Sequence, residues 1–176
     1  MIFAETEIGG VWLVTLEPVE DHRGFFARTW CEREFAAHGL DDRWVQCSVS
    51  FNRQRGTLRG LHFQRAPHDE TKLVRCTMGA IHDVVLDLRR DSPTFRKHAA
   101  VELSAVDRKM LYIPRGCAHG FQTLVDDTEV FYQISAFYAP QHSAGVRWND
   151  PAFGISWPCP DPILSDRDRS YPSFED

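Results

Sequence analysis

Short segments rich in β-branched and aromatic residues, each bounded by Gly, Pro, Asp or Asn, dominate this chain: 11–16, 24–30, 44–52, 57–63, 72–76, 80–88, 99–103, 110–113, 117–124 and 129–135. Such residues, so punctuated, read as strands. Residues 32–38 read as a helix, closed by Gly39 as a left-handed cap. Many short strands with little helix predict an all-β fold, an antiparallel sandwich or jelly roll. A length of 176 residues suits one domain, spanning 1–176, with one sizeable core. In the segment 81–88, Val84, Leu86 and Leu88 share one face while Asp83 and Asp87 lie on the other, so a half-buried strand is expected. The C-terminal stretch carrying Pro158, Pro160, Pro162 and Pro172 is expected to be ordered by packing on the barrel rather than by a ladder of its own.

A formal net charge of −5 argues against a general nucleic-acid or membrane-surface binder, since those carry a basic excess. Cys31, Cys47, Cys76, Cys117 and Cys159 are odd in number, widely spaced and without a C-x-x-C pair. That pattern fits neither a disulfide framework nor a thiolate zinc site, and reduced thiols are the better reading. The first seven residues carry acids where a secretory signal has a basic region and an apolar run. No stretch approaches a membrane span. The expectation is a soluble, cytoplasmic protein with neither nucleic acid nor membrane as partner.

Chemistry-bearing residues gather in a few places. His62 sits among apolar neighbours in a predicted strand, where a lone histidine is more often a core residue bonded to a backbone carbonyl. Arg59, Lys72 and His119 lie in equally apolar strands. Buried cations are costly unless an anion or polar partner meets them, so several together point to a pocket for a negatively charged ligand. Histidines in a small barrel invite a metal reading. Here, however, Phe63 and Gln64 follow His62, and Lys72, whose ammonium cannot ligate and would repel a divalent ion, lies nearby. No metal is therefore expected. Tyr132 taken alone reads as a core aromatic, and Asp168, three residues after Ser165, reads as part of a helix-start capping box. Arg59 and His62 are an odd number of residues apart, which would put them on opposite strand faces. A bulge at Gly60 would bring them to one side.

Taken together, Asp21-His22-Arg23-Gly24-Phe25-Phe26, Arg59-Gly60-Leu61-His62, Lys72-Leu73-Val74-Arg75, Ile113-Pro114-Arg115-Gly116, Ala118-His119-Gly120-Phe121, Trp148-Asn149-Asp150-Pro151 and Leu164-Ser165-Asp166-Arg167-Asp168 resemble the dTDP-4-dehydrorhamnose 3,5-epimerase family in order and spacing. The resemblance runs nearly the full length. It implies a cupin-type jelly-roll β-barrel with minor short helices, a homodimer, no cofactor, and a nucleoside-diphosphate sugar as substrate. By the same resemblance His62 is the general base, Asp168 its paired carboxylate, Tyr132 the general acid, and Lys72 the group near the developing enolate. Arg23 and Arg59 resemble diphosphate contacts, His119 another substrate contact, and Tyr138 the ring stacked on the base. Arg28, Gln46, Ser48 and Arg167 complete the candidate substrate-binding set. The implied reaction inverts carbon 3, carbon 5 or both of a 4-keto-6-deoxyhexose in deoxysugar or polysaccharide biosynthesis.

The nucleotide-facing part departs from the family pattern. Gln46-Cys47-Ser48-Val49-Ser50 stands where the family carries Q-D-N-x-S, and Arg28 and Ser143 stand where it commonly has Glu. Thymidine is the family default, with cytidine and guanosine diphosphate sugars and a 3-epimerase-only activity as alternatives. A metal-dependent cupin and a non-catalytic sugar-nucleotide binding module are the competing readings from other classes.

Overall fold

The computed structural model describes residues 1–41 and 43–174. The N-terminal part carries β1 (Ile2–Glu5), β2 (Trp12–Thr15), β3 (Val19–Asp21), β4 (Gly24–Phe26) and helix α1 (Glu32–Ala37). The barrel strands follow as β5 (Gln46–Asn52), β6 (Leu58–Gln64), β7 (Lys72–Met78), β8 (Ala80–Asp87), β9 (His98–Ser104), β10 (Met110–Ile113), β11 (Cys117–Thr123) and β12 (Thr128–Ile134). Last come β13 (Ser143–Gly145) and the short helix α2 (Asp166–Ser170). One sheet has the order β1-β2-β10-β7-β12-β5 and the other β13-β6-β11-β8-β9, while β3 pairs only with β4. The pairings are antiparallel throughout, as expected of a jelly roll.

Period-two alternation places the core. Val74 and Cys76 of β7, Leu111 and Ile113 of β10, and Val130 of β12 meet Ile81 and Val85 of β8, Leu103 of β9, and Cys117 and Phe121 of β11 between the sheets. Outside the first sheet, Phe35 of α1 packs with Val14, Leu73, Met110 and Tyr112, flanked by Trp12, Trp30 and Trp44. Helix α1 stops where expected: Gly39 has φ of +68°, and its N–H donates to the Ala36 carbonyl.

The expectation for β8 needs correction, because the strand is buried on both faces. Val84 and Leu86 face outward but lie beneath Val146, Phe153, Ile155 and Trp157 of the C-terminal stretch. Asp83 and Asp87 share the inward parity of Ile81 and Val85 and are themselves fully buried. The Pro-rich stretch does pack on the barrel without a ladder of its own: the Cys159 backbone bonds the Gln122 side chain of β11, and Ile163 forms an isolated bridge with Thr57. Strands β1, β3 and β13 lie outside the predicted segments, and β4 ends at Phe26 rather than at residue 30.

Asp87 shows how a buried acid is accommodated. Its carboxylate accepts from Arg89 Nε at 2.8 Å, Ser92 Oγ at 2.6 Å and Thr94 Oγ1 at 2.7 Å. Burial alone would raise this carboxyl, but those bonds outweigh it and bring it from 3.8 down to about 2. A carboxyl lowered on folding supports the native state above its unfolded pKa and loses that support as pH falls through the folded one. The Asp87 contribution should therefore vanish as pH falls from roughly 4 to 2. Melting curves across that range are expected to show a shallower acid decline for Asp87→Asn, and parallel declines would refute the assignment.

Candidate active site

Strands from both sheets line a cavity of about 340 Å³, within the size range of small-molecule sites. Gln46, Ser48 and Ser50 of β5 point into it at alternate positions, as do Tyr132 and Ile134 of β12 and Lys72 of β7. From the other sheet come Arg59 and His62 of β6, with His119 and Phe121 of β11.

Gly60 reconciles Arg59 with His62. In the β6–β11 pairing His62 faces His119 and Arg59 faces Phe121, so the register shifts by one residue at Gly60. That is the predicted bulge, and both side chains reach the cavity. Gly60 has φ of +137°, and a Cβ there would lie 2.5 Å from the Gly120 Cα, so only glycine fits the close approach of the two strands.

His62 Nε2 and Asp168 Oδ1 are 2.5 Å apart. Asp168 is held by α2, which begins as the capping box predicts: the Asp168 N–H donates to the Ser165 hydroxyl at 3.1 Å. Burial would raise the Asp168 carboxyl, but hydrogen bonds from His62, Ser165 and the Gly60 backbone hold it below its ordinary value. With Nε2 engaged, Nδ1 is the ring nitrogen left for other partners. Lys72 Nζ forms an ion pair with Glu70 Oε1 at 3.1 Å and donates to the His62 carbonyl at 3.3 Å. Burial pushes the Tyr132 phenol well above its ordinary value, with the Asp83 charge adding to the effect. The phenol therefore stays protonated at neutral pH. Its ring lies edge-on to His119, with centroids 6.1 Å apart.

Two residues of the site escaped the sequence reading. Asp83 stands behind His119, its Oδ1 2.6 Å from His119 Nε2, so a second imidazole–carboxylate pair adjoins the first. Its signal was an acid at the parity of Ile81 and Val85, misread because alternation alone does not say which face is the interior. Glu70 lines the cavity beside Lys72; the run Asp69-Glu70-Thr71-Lys72 at a strand start was its only trace.

At the mouth, Arg59 Nε donates to Asn52 Oδ1 at 2.7 Å. Gln46 Oε1 accepts from the Tyr138 N–H at 2.8 Å, beside the exposed Tyr138 ring. Arg167 donates to Ser143 Oγ at 2.7 Å and to the Tyr171 hydroxyl at 2.8 Å. Arg23 and Arg28 are not brought to this cavity. Arg23 is 78% exposed and bonded to Asp21, and Arg28 pairs with Glu34. The physical reason for Arg23 is that the β3–β4 hairpin pairs with neither of the sheets that line the cavity. Arg28 follows that hairpin on the way to α1.

A cupin-type jelly roll with an imidazole on one sheet paired to a carboxylate on α2, a protonated phenol on the other sheet and an ammonium nearby defines an isomerase class, the epimerases that move protons on carbon. Residues 5–176 match the family model described as dTDP-4-dehydrorhamnose 3,5-epimerase. The dTDP-4-dehydrorhamnose 3,5-epimerase of Sinorhizobium fredii is 42% identical over 175 residues, covering 99% of this chain and 90% of that protein. The Bacillus anthracis enzyme of that name, solved with TDP and PPi bound, superposes with a TM-score of 0.95 at 42% identity, covering 98% of this chain and 99% of that one. The Legionella pneumophila dTDP-6-deoxy-D-glucose-3,5-epimerase, solved with dTDP-4-keto-L-rhamnose, gives 0.90 at 32% identity, covering 97% and 90%. This chain belongs to the dTDP-4-dehydrorhamnose 3,5-epimerase family.

Proposed function

We propose that this chain epimerises a dTDP-linked 4-keto-6-deoxyhexose at the carbons beside its ketone, in deoxysugar biosynthesis. One observation carries the reading: His62 and Tyr132 enter a single cavity from opposite sheets, with Lys72 lining it too. A C–H next to a ketone is weakly acidic, and its loss gives an enolate. His62 takes that proton, and Asp168 steadies the imidazolium that results. The Lys72 ammonium, with His119 as a second donor, stabilises the enolate oxygen. Tyr132 delivers a proton to the opposite face, and the configuration inverts. The electron pair returns to the same carbon, so the step consumes no oxidant or reductant.

Arg59 and Arg167 are placed to grip diphosphate oxygens, since guanidinium stays charged when enclosed and offers paired donors. Gln46, Ser48 and Tyr138 form the nucleoside end, with the phenol ring as a stacking platform. Arg23 and Arg28 reach a substrate only if a second copy supplies them. The exposed Val19, Phe25 and Phe26 of the β3–β4 hairpin, and the β5 edge with exposed Val49 and Phe51, support a homodimer. Light scattering is expected to give the mass of two chains, and a monomer would remove the trans role of both arginines. Free thiols at all five cysteines fit a reducing compartment, the cytoplasm.

Proton NMR in deuterium oxide with a dTDP-4-keto-6-deoxyhexose tests the reaction. Deuterium uptake and inversion beside the ketone are expected. Binding without exchange would leave only a binding module.

A further inference from the structure

Glu70 is more deeply enclosed than holding a lysine requires. It stands two residues before Lys72, and its side chain is only 7% exposed. One oxygen, Oε1, is ion-paired with Lys72 Nζ at 3.1 Å. The other, Oε2, is shielded from solvent and has no hydrogen-bond partner among the described residues. An acceptor buried in this way loses its hydration and gains nothing in return, which native proteins rarely tolerate. Glu70 lines the cavity, so a ligand can supply the missing donor.

We infer that Glu70 is a specificity-determining residue whose free oxygen accepts a hydrogen bond from the hydroxyl at carbon 3 of the sugar, next to the ketone. The inference rests on the epimerase reading above. Lys72 faces the ketone oxygen in that reaction, and a hydroxyl on the neighbouring carbon lies one hydrogen-bond length from that oxygen. A carboxylate already bridged to the same ammonium is therefore within its reach. A carboxylate can only accept, and a hydroxyl has a proton to give. Sugars lacking that hydroxyl would leave the buried oxygen idle, so the site discriminates against them. The ammonium sits between Glu70 and the developing enolate, which keeps the two negative charges apart.

The experiment compares a dTDP-4-keto-6-deoxyhexose with its 3-deoxy counterpart, reading kcat/KM for deuterium uptake beside the ketone by proton NMR. For the wild-type chain, loss of the hydroxyl is expected to cost roughly 10- to 100-fold. For Glu70→Ala the two substrates should differ by no more than about 2-fold, because the oxygen that reads the hydroxyl is gone. Glu70→Gln keeps a neutral acceptor and should fall between; it carries the comparison if the alanine variant fails to fold. A merely structural role would slow both substrates by one common factor. Equal penalties in wild type and variants, or a wild-type chain indifferent to the hydroxyl, would overturn the inference. A wild-type chain that exchanges neither substrate would instead refute the epimerase reading.

Discussion

Replacing His62 with alanine is expected to lower deuterium uptake beside the ketone by about 10²- to 10⁴-fold, the usual contribution of a positioned general base. Lys72 and His119 would still polarise the ketone, so exchange should fall to a small residue rather than to the rate in water. The variant has a structural side effect to separate from the chemical one. Asp168 is buried and bonded to the imidazole, and removing one partner of such a pair leaves a charge uncompensated. His62→Gln addresses this, because a glutamine amide reaches about as far as Nε2 and can still donate to Asp168, while offering no basic nitrogen. Both variants should lose exchange equally, and the glutamine variant should melt closer to wild type. Exchange undiminished in the glutamine variant would remove His62 as the base.

The parts of this site that were legible in the sequence share a physical origin. Arg59, His62, Lys72 and His119 stood out because charged or titratable groups in apolar strands need a partner that the core does not provide. The conflict of parity between Arg59 and His62, with a glycine between them, locates the bulge in the sequence itself. The bond from His62 to Asp168 joins residues 106 positions apart, and no local pattern encodes it. Only the family resemblance pointed there. Asp83 was placed on the wrong side because β8 lies beneath a C-terminal stretch that begins about sixty residues later in the chain. Short strands such as β13 exist because a neighbour pairs with them: residues 143–145 align with Gln64, Phe63 and His62. Propensity over three residues cannot announce that. Arg23 matches the family motif, yet the position of an exposed hairpin is a question about two chains.

Tyr132→Phe should separate two events that the wild-type chain performs together. The substitution removes one oxygen and keeps the ring that lies edge-on to His119, so the cavity and the core beneath it should hold. Proton removal by His62 is untouched, and the enolate can recover a deuteron on the face from which it lost a proton. Uptake is therefore expected to stay within about 10-fold of wild type, while inversion falls by about 10²- to 10⁴-fold, the range for loss of a positioned general acid. The raised pKa of the phenol makes this a clean experiment. At neutral pH the wild-type group is always the acid, so no ionised fraction blurs the comparison. Stereochemistry and uptake are read from the same NMR spectrum, at the carbons flanking the ketone. Two signals should part company: a proton resonance that fades as deuterium enters, and a coupling pattern that fails to change. Inversion at the wild-type rate in this variant would mean that another donor serves the second face, and the opposition of the two sheets across the cavity would lose its catalytic meaning.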